Sequence, residues 1–344
     1  MTKEKSYDIY IKDIEEEKIS VDNVSGLLSS SDEVIEHIEH ADIITTAVGP
    51  LNLSKIAPVI ARGISQKQKN KSKKYLNIIA CENAVFASQT LEKKVYELLN
   101  DDQKAYAKEY VGFPNCSVDR IVPPSDNKKM LDVSVEKYYE WNVDKNDFKG
   151  QIPDVYGMNL VDNLLAYIER KLFTLNTGHA TTAYLGSLKG HKSIDESIND
   201  PKIEDIVRKT MQESGMALIK KFDFDKSKHF AYIEKIIERF KNPYLHDDVN
   251  RVGREPIRKL SVSERFIKPL NTALDYKLPV DNLIIGIAAA LHFSDEKDKQ
   301  AINLQERISE IGLRETIIEV TEIKDDDILS KIISAYDEVE KLIK

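Results

Sequence analysis

The sequence predicts an α/β first half followed by an all-α second half. Three observations lead there. Strand-like and helical segments alternate up to about residue 154, and beyond it apolar residues recur at helical spacing. The third is composition: 344 residues, 41% of them apolar and 31% charged, give enough side chain for the cores of two domains and a charged exterior. The expected units are 1–154 and 155–344.

Taken in order, residues 7–11 alternate as a strand, and Ile19, Ser20 and Val21, with 24–28 after them, continue as strand or turn. A short helix over 32–39, opened by a Ser31/Asp32 cap, leads into a buried strand at 43–48 that Gly49-Pro50 stops. Leu53, Ile56, Ile60 and Ile64 mark a helix, and residues 76–81 form a second buried strand. Strand, helix, strand in this order points to parallel pairing. Lys67, Lys69, Lys71, Lys73 and Lys74 read as a solvated loop, with a phosphate-attracting patch as the alternative. Further strand-like stretches lie at 118–122 and 131–135, and residues 150–153 read as a connection. Leu160, Leu164, Ile168, Leu172 and Leu175 make one helical stripe; Ile203, Ile206, Val207, Met211, Leu218 and Ile219 a second; Ile233, Ile236, Ile237 and Phe240 a third. Asp325-Asp326-Asp327 can cap a last helix.

Charge and cysteine usage narrow the function classes. Fifty basic against fifty-eight acidic side chains leave a net charge of -8, which disfavours a polyanion such as duplex DNA. The longest apolar run, 283–291, is far short of the roughly 20 residues that cross a bilayer. The leading residues Met1 to Lys5 lack a signal-peptide core, so a cytoplasmic protein is expected. Cys81 and Cys116 are too few for a disulfide framework and read as packed side chains without a chemical role. His37, His40, His179, His191, His229, His246 and His292 include no His-x-x-x-His pair, and no metal is expected. The thirteen glycines never lie closer than four positions apart, which excludes Gly-x-Gly-x-x-Gly. What remains is the second half of a doubly wound domain without its phosphate fingerprint.

The segment that carries chemistry is Glu169-Arg170-Lys171-Leu172-Phe173-Thr174-Leu175-Asn176-Thr177-Gly178-His179. On an ideal helix Asn176 lies about 140° and His179 about 80° from Lys171, so the three share one broad sector. Either a lysine, an amide and an imidazole face one site, or they are an exposed lysine, a capping amide and a buried structural histidine.

Lys171-x-x-x-x-Asn176-x-x-His179 resembles the signature of the polyol-specific long-chain dehydrogenases, a metal-independent family that oxidises sugar alcohols with NAD. Residues 42–50, 76–83 and 118–124 match it too, as do Asn242-Pro243-Tyr244-Leu245 and the run from Arg251-Val252-Gly253-Arg254 through Arg258-Lys259-Leu260-Ser261. The resemblance implies a partial Rossmann-like domain followed by a helical one. It implies interconversion of mannitol 1-phosphate and fructose 6-phosphate by a monomer, with a sugar-alcohol phosphate as its small-molecule partner. Lys171 would be the general base, which requires burial and nearby cations to bring its pKa below about 10.4. Asn83 and Asn176 would supply amides to the developing alkoxide, and His179 would orient substrate or base. Arg251 and Lys259 would contact substrate, Asp119 would place a carboxylate near the base, and Thr46, Ala47 and Val48 would face the cofactor. In that family a Gly-rich strand, turn and helix come first, and this chain is expected to begin after them and to bind NAD poorly. Two alternatives follow: a chain that keeps substrate binding without the cofactor, and a hexuronate reductase of the same wider family.

The residues also allow plainer readings. Asn83 can simply end a strand, and Asp119-Arg120 can be a structural ion pair. Arg251, Arg254 and Arg258 follow Asp247-Asp248 at helical spacing, so some of them form surface pairs. Ser261-Val262-Ser263-Glu264 reads as a capping box for the next helix.

Overall fold

A computed structural model describes residues 5–13, 17–123, 129–245 and 247–343. Pro124 of the matching 118–124 stretch, the leading Met1 to Glu4 and His246 lie outside the described residues. The chain divides into two compact units, Met1–Lys12 with Glu16–Ile168, and Asp13–Glu15 with Glu169–Lys344.

Among the described residues the first unit holds three small sheets. Strand β1 (Tyr7–Lys12) pairs antiparallel with β2 (Glu17–Val21), and Val24 to Leu28 form no strand. Helix α1 (Glu33–His40) follows; Ser31 Oγ accepts the Glu33 amide at 3.3 Å, whereas Asp32 pairs with Arg62 instead of capping. Next come β3 (Ile43–Thr46), α2 (Leu53–Lys69), β4 (Leu76–Ala80), α3 (Ala87–Tyr96), α4 (Asp101–Tyr110) and β5 (Val111–Gly112). The order β3-β4-β5 is parallel throughout, as the strand, helix, strand succession predicts. In β4 the pleat sends Leu76, Ile78 and Ala80 into a core with Ile60 and Ile64 of α2 and Leu91 and Val95 of α3. Ile79, on the opposite face, packs on Cys116 and Val143. Those two belong to the third sheet, β6 (Cys116–Asp119), β8 (Glu140–Asp144) and β9 (Met158–Val161), in the order β6-β8-β9; β7 (Val133–Glu136) joins β1 in parallel. The result is an α/β, Rossmann-like unit with mixed sheets.

Three sequence expectations need correction here. Strand β3 is not buried: among the described residues it is an edge with β4 on one side, so Ile43 and Ile44 are half-buried and Thr45 is exposed. The lysine stretch is not all loop, since α2 runs to Lys69 and fully buries Lys67. The Lys67 ammonium donates to the Glu39 carbonyl at 2.7 Å and Lys74 to that of His40 at 2.6 Å, so two cations finish the C-terminal end of α1. Leu160 belongs to β9 rather than to a helical stripe.

The second unit is helical. Its spine is one helical run, α5 (Leu164–Arg170), a π-turn over Lys171–Asn176, and α6 (Thr177–Lys189), and the division between the units falls inside α5. Around it come α7 (Ile194–Ile198), α8 (Pro201–Phe222), α9 (Lys226–Phe240), α10 (Val249–Gly253), α11 (Pro256–Lys259), α12 (Ile267–Asp275), α13 (Asp281–Leu291), α14 (Lys299–Ile311), α15 (Leu313–Thr321) and α16 (Asp326–Ile343). The second and third apolar stripes point inward from α8 and α9, with Ile203, Val207, Met211 and Leu218 buried in α8. Asp325 caps α16 by accepting the amides of Asp327 at 2.9 Å and Ile328 at 3.1 Å. The expected capping box does not form: α12 begins only at Ile267, and Glu264 pairs with Arg258 and Arg265.

Helix α6 packs closely on its neighbours because its facing residues are small. At Gly186 a methyl group would overlap the Ser197 hydroxyl of α7 and stand 2.8 Å from its Cβ. Gly186→Ala should therefore lower stability by about 1–3 kcal/mol in spite of alanine's better helix propensity. Urea unfolding checks this, and an unchanged or raised midpoint would contradict the close approach.

Candidate functional site

Among residues 171–180 every side chain is buried except Lys171, Leu172, Asn176 and His179, which are half-buried. A helix in the middle of an apolar bundle thus keeps three polar groups on its one partly open face. The π-turn modifies the ideal-helix estimate, because hydrogen bonding five residues apart brings Asn176 back over Lys171. Asn176 has helical dihedrals and no capping bond, so it is not a helix cap. The carbonyls of the wider turn find other donors: the Ser214 hydroxyl donates to Phe173 at 2.7 Å, and Thr177 Oγ1 lies 3.0 Å from the Leu172 carbonyl and 2.6 Å from that of Arg265. These contacts offset what an interrupted ladder costs.

His179 stacks on Phe240, the ring centroids 4.9 Å apart and the planes at 18°. Its Nε2 lies 2.6 Å from Oδ2 of Asp247, whose side chain is only 5% exposed. The other carboxylate oxygen accepts the Arg251 guanidinium. Burial alone would raise the pKa of Asp247, but the His179 and Arg251 contacts outweigh it and hold the group below the ordinary carboxylate value. Sequence reasoning treats Asp247 only as a partner for a surface arginine, and its link to His179, 68 positions away, carries no local signal.

The basic stretch after it is largely committed to internal partners. Arg251, on α10, is 52% exposed beyond its Asp247 contact; Arg258 pairs with Glu255 at 2.8 Å and Glu264 at 2.9 Å. Arg254 is exposed. Lys259, at the end of α11, is 3% exposed and donates to the Arg254 carbonyl. Burial, then the charges of Arg265 and Arg258, push its ammonium down to about 7. Burial among cations, the environment expected of Lys171, is also found at Lys259.

In the first unit, Thr46 is buried at the end of β3 and donates to Oε1 of Glu82 at 2.9 Å, while Ala47 and Val48 are exposed. The same carboxylate takes the Val48 amide at 2.9 Å and the Gly49 amide at 2.8 Å. These amides open the turn into α2, the place where a strand-to-helix turn would hold an anion. Here an internal side chain uses them, so Thr46 to Val48 fit contact with the less charged parts of a dinucleotide and do not fit its pyrophosphate. Asn83 is exposed on the bend after β4, beside Glu82. Asp119 is buried at the end of β6, and Arg120 donates to the Glu136 carbonyl at 3.1 and 3.0 Å. Cys116 Sγ lies 3.4 Å from the Ala80 carbonyl and 4.0 Å from Cys81 Sγ. Among the described residues no three His, Cys, Asp or Glu side chains gather as a metal site, and no helix is long and apolar enough to cross a membrane.

A Rossmann-like unit joined to a helical unit that presents a lysine, an amide and an imidazole along one stretch of helix is the frame of a two-domain dehydrogenase. Residues 1–157 match the model of the mannitol dehydrogenase Rossmann domain, and residues 163–340 that of the mannitol dehydrogenase C-terminal domain. The chain belongs to the mannitol dehydrogenase family of polyol oxidoreductases. Among solved structures it resembles a D-sorbitol dehydrogenase in substrate-free form, at 15% identity and a TM-score of 0.85, over 98% of this chain and 84% of that one. It also resembles mannitol 2-dehydrogenase of Pseudomonas fluorescens, solved with NAD and D-mannitol, at 17% identity and a TM-score of 0.69, over 98% of this chain and 82% of that one. At such identities the likeness speaks for the fold.

The Lys259 site has a measurable pH signature. The amine titrates near 7 when folded, against about 10.4 when unfolded. Below the folded value both states hold the proton, and the native state carries the full cost of a buried charge. As pH rises through the folded value towards about 10, only the unfolded state keeps the proton, so the deficit shrinks. Lys259→Met should raise the urea midpoint most at mildly acidic pH, with a gain that fades between about pH 7 and about pH 10. A gain independent of pH would contradict the depressed amine.

Proposed function

We propose that the chain is an NAD(H)-dependent polyol-phosphate dehydrogenase that interconverts mannitol 1-phosphate and fructose 6-phosphate, with Lys171 as general acid and base. The observation that carries this reading is the partly open face of the spine helix: between residues 171 and 180 the half-buried polar side chains are Lys171, Asn176 and His179, and the buried ones are threonines. In the oxidative direction neutral Lys171 takes the hydroxyl proton at Nζ, and the Asn176 amide donates to the oxygen as it gains charge. His179 holds a neighbouring hydroxyl. Bound NAD would supply the hydride acceptor, and Thr46, Ala47 and Val48 would line it. In reduction the Lys171 ammonium returns the proton.

The phosphate falls to Arg251. Its guanidinium is anchored through Asp247 yet half-exposed, which suits it to a dianion that accepts two parallel hydrogen bonds. A second reading, a chain that binds the polyol phosphate without turning it over, is favoured by the Glu82 contacts that occupy the Val48 and Gly49 amides.

Lys171→Ala should lower kcat by about a hundredfold or more and leave KM within a few-fold, because a base acts mainly in the transition state. Measurement of NADH formation decides, and activity near that of the unaltered chain would remove the assignment. Arg251→Ala should weaken mannitol 1-phosphate binding by about tenfold to a hundredfold and mannitol binding much less. Calorimetry without NAD reads this directly. Equal losses would place Arg251 on the sugar chain, and binding with no turnover in the unaltered protein would select the second reading.

A further inference from the structure

We infer that Asp247 is a positioning residue that fixes His179 in the tautomer protonated on Nε2, leaving Nδ1 as the nitrogen that accepts a substrate hydroxyl. An ionised carboxylate can only accept hydrogen bonds, so the ring nitrogen 2.6 Å from Oδ2 must carry the proton. A neutral imidazole then has its lone pair on Nδ1. The carboxylate stays ionised despite its burial because two donors share it, His179 on Oδ2 and Arg251 on Oδ1.

The surroundings hold this arrangement in place. The main chain at Asp247 is tied to the start of α7, its carbonyl accepting the Ile194 amide at 2.9 Å, with the Val249 amide bound to Lys192 at 3.0 Å and a bridge between Ser193 and Asp248. Phe240, stacked on one face of the imidazole, opposes ring rotation, and 20% of the His179 side chain stays open to solvent. One buried carboxylate thereby sets the direction of both His179 and Arg251. That is a different task from proton transfer at Lys171, although its purpose rests on the polyol reading above.

The test is the imidazole nitrogen spectrum of the full chain labelled with 15N-histidine, at an alkaline pH where the rings are neutral, with His179→Gln used to assign the signal. The unaltered chain should show His179 protonated on Nε2, and Asp247→Asn should abolish that preference, since an amide can donate as well as accept. Protonation on Nδ1 in the unaltered chain, or an unchanged pattern in Asp247→Asn, would overturn the inference. If Asp247→Asn does not fold, the unaltered spectrum decides alone. The binding arm uses mannitol 1-phosphate: Asp247→Asn should weaken it by about tenfold or more, with part of the loss recovered in Asp247→Glu. Unchanged binding would overturn the positioning role. The spectrum requires no turnover, so a failure of the polyol reading, seen as unimpaired activity of Lys171→Ala, is separable from a failure here.

Discussion

The second unit is organised around a widened turn in its central helix. Six residues, Lys171–Asn176, hydrogen-bond five apart, and that one change of period decides which side chains face the open side. On a regular helix Lys171 and Asn176 would lie about 140° apart at the edges of one broad sector, and the wider turn narrows that separation. Such a turn survives only if its displaced carbonyls are satisfied, and Ser214 at Phe173 and Thr177 at Leu172 do this from buried positions. The small residues that follow, Gly178, Ala180, Thr181 and Thr182, let α8 and α13 approach closely enough to keep water out of the turn. Packing and chemistry are therefore set by the same few residues.

Buried charge is the second theme, and the two cases differ in kind. Asp247 is held by direct partners, an imidazole on one oxygen and a guanidinium on the other, so removing Arg251 takes away the cation that balances its buried charge. Lys259 donates to a carbonyl and lies among the guanidinium groups of Arg265, Arg258 and Arg254, with Glu255 the opposing charge. It yields its proton readily instead of attracting a partner.

Much of this is written in local sequence. The helical stripes of α8 and α9 follow from period alone, and the parallel pair β3/β4 follows from the succession of strand, helix and strand. The Lys171, Asn176 and His179 spacing is legible as well. What escapes is long-range or is lost to a stronger competitor. Strands β8 and β9 do alternate, Trp141 and Val143 between polar neighbours and Met158 and Leu160 around Asn159, but the runs are five and four residues long, too short to stand out before β6 and β8 pair. The Ser261 to Glu264 box has the right spacing, yet Glu264 prefers two arginines. The Asp247 contact with His179 joins residues far apart in sequence, so no window of neighbouring residues contains it.

The exposed side of β3 bears on colloidal behaviour. Its half-buried Ile43 and Ile44 line an open apolar groove of 720 Å³ together with Val34, Ile56 and Val59. A strand edge beside such a groove is a template for pairing between molecules, and no proline or lysine lies within β3 to blunt it. The opposing force is long-range: copies that each carry a net charge of -8 repel before their edges meet. That repulsion weakens as added salt shortens the Debye length to about 10 Å at 0.1 M. At high ionic strength that repulsion no longer keeps the margin Ile43–Thr46 away from the same margin of another copy.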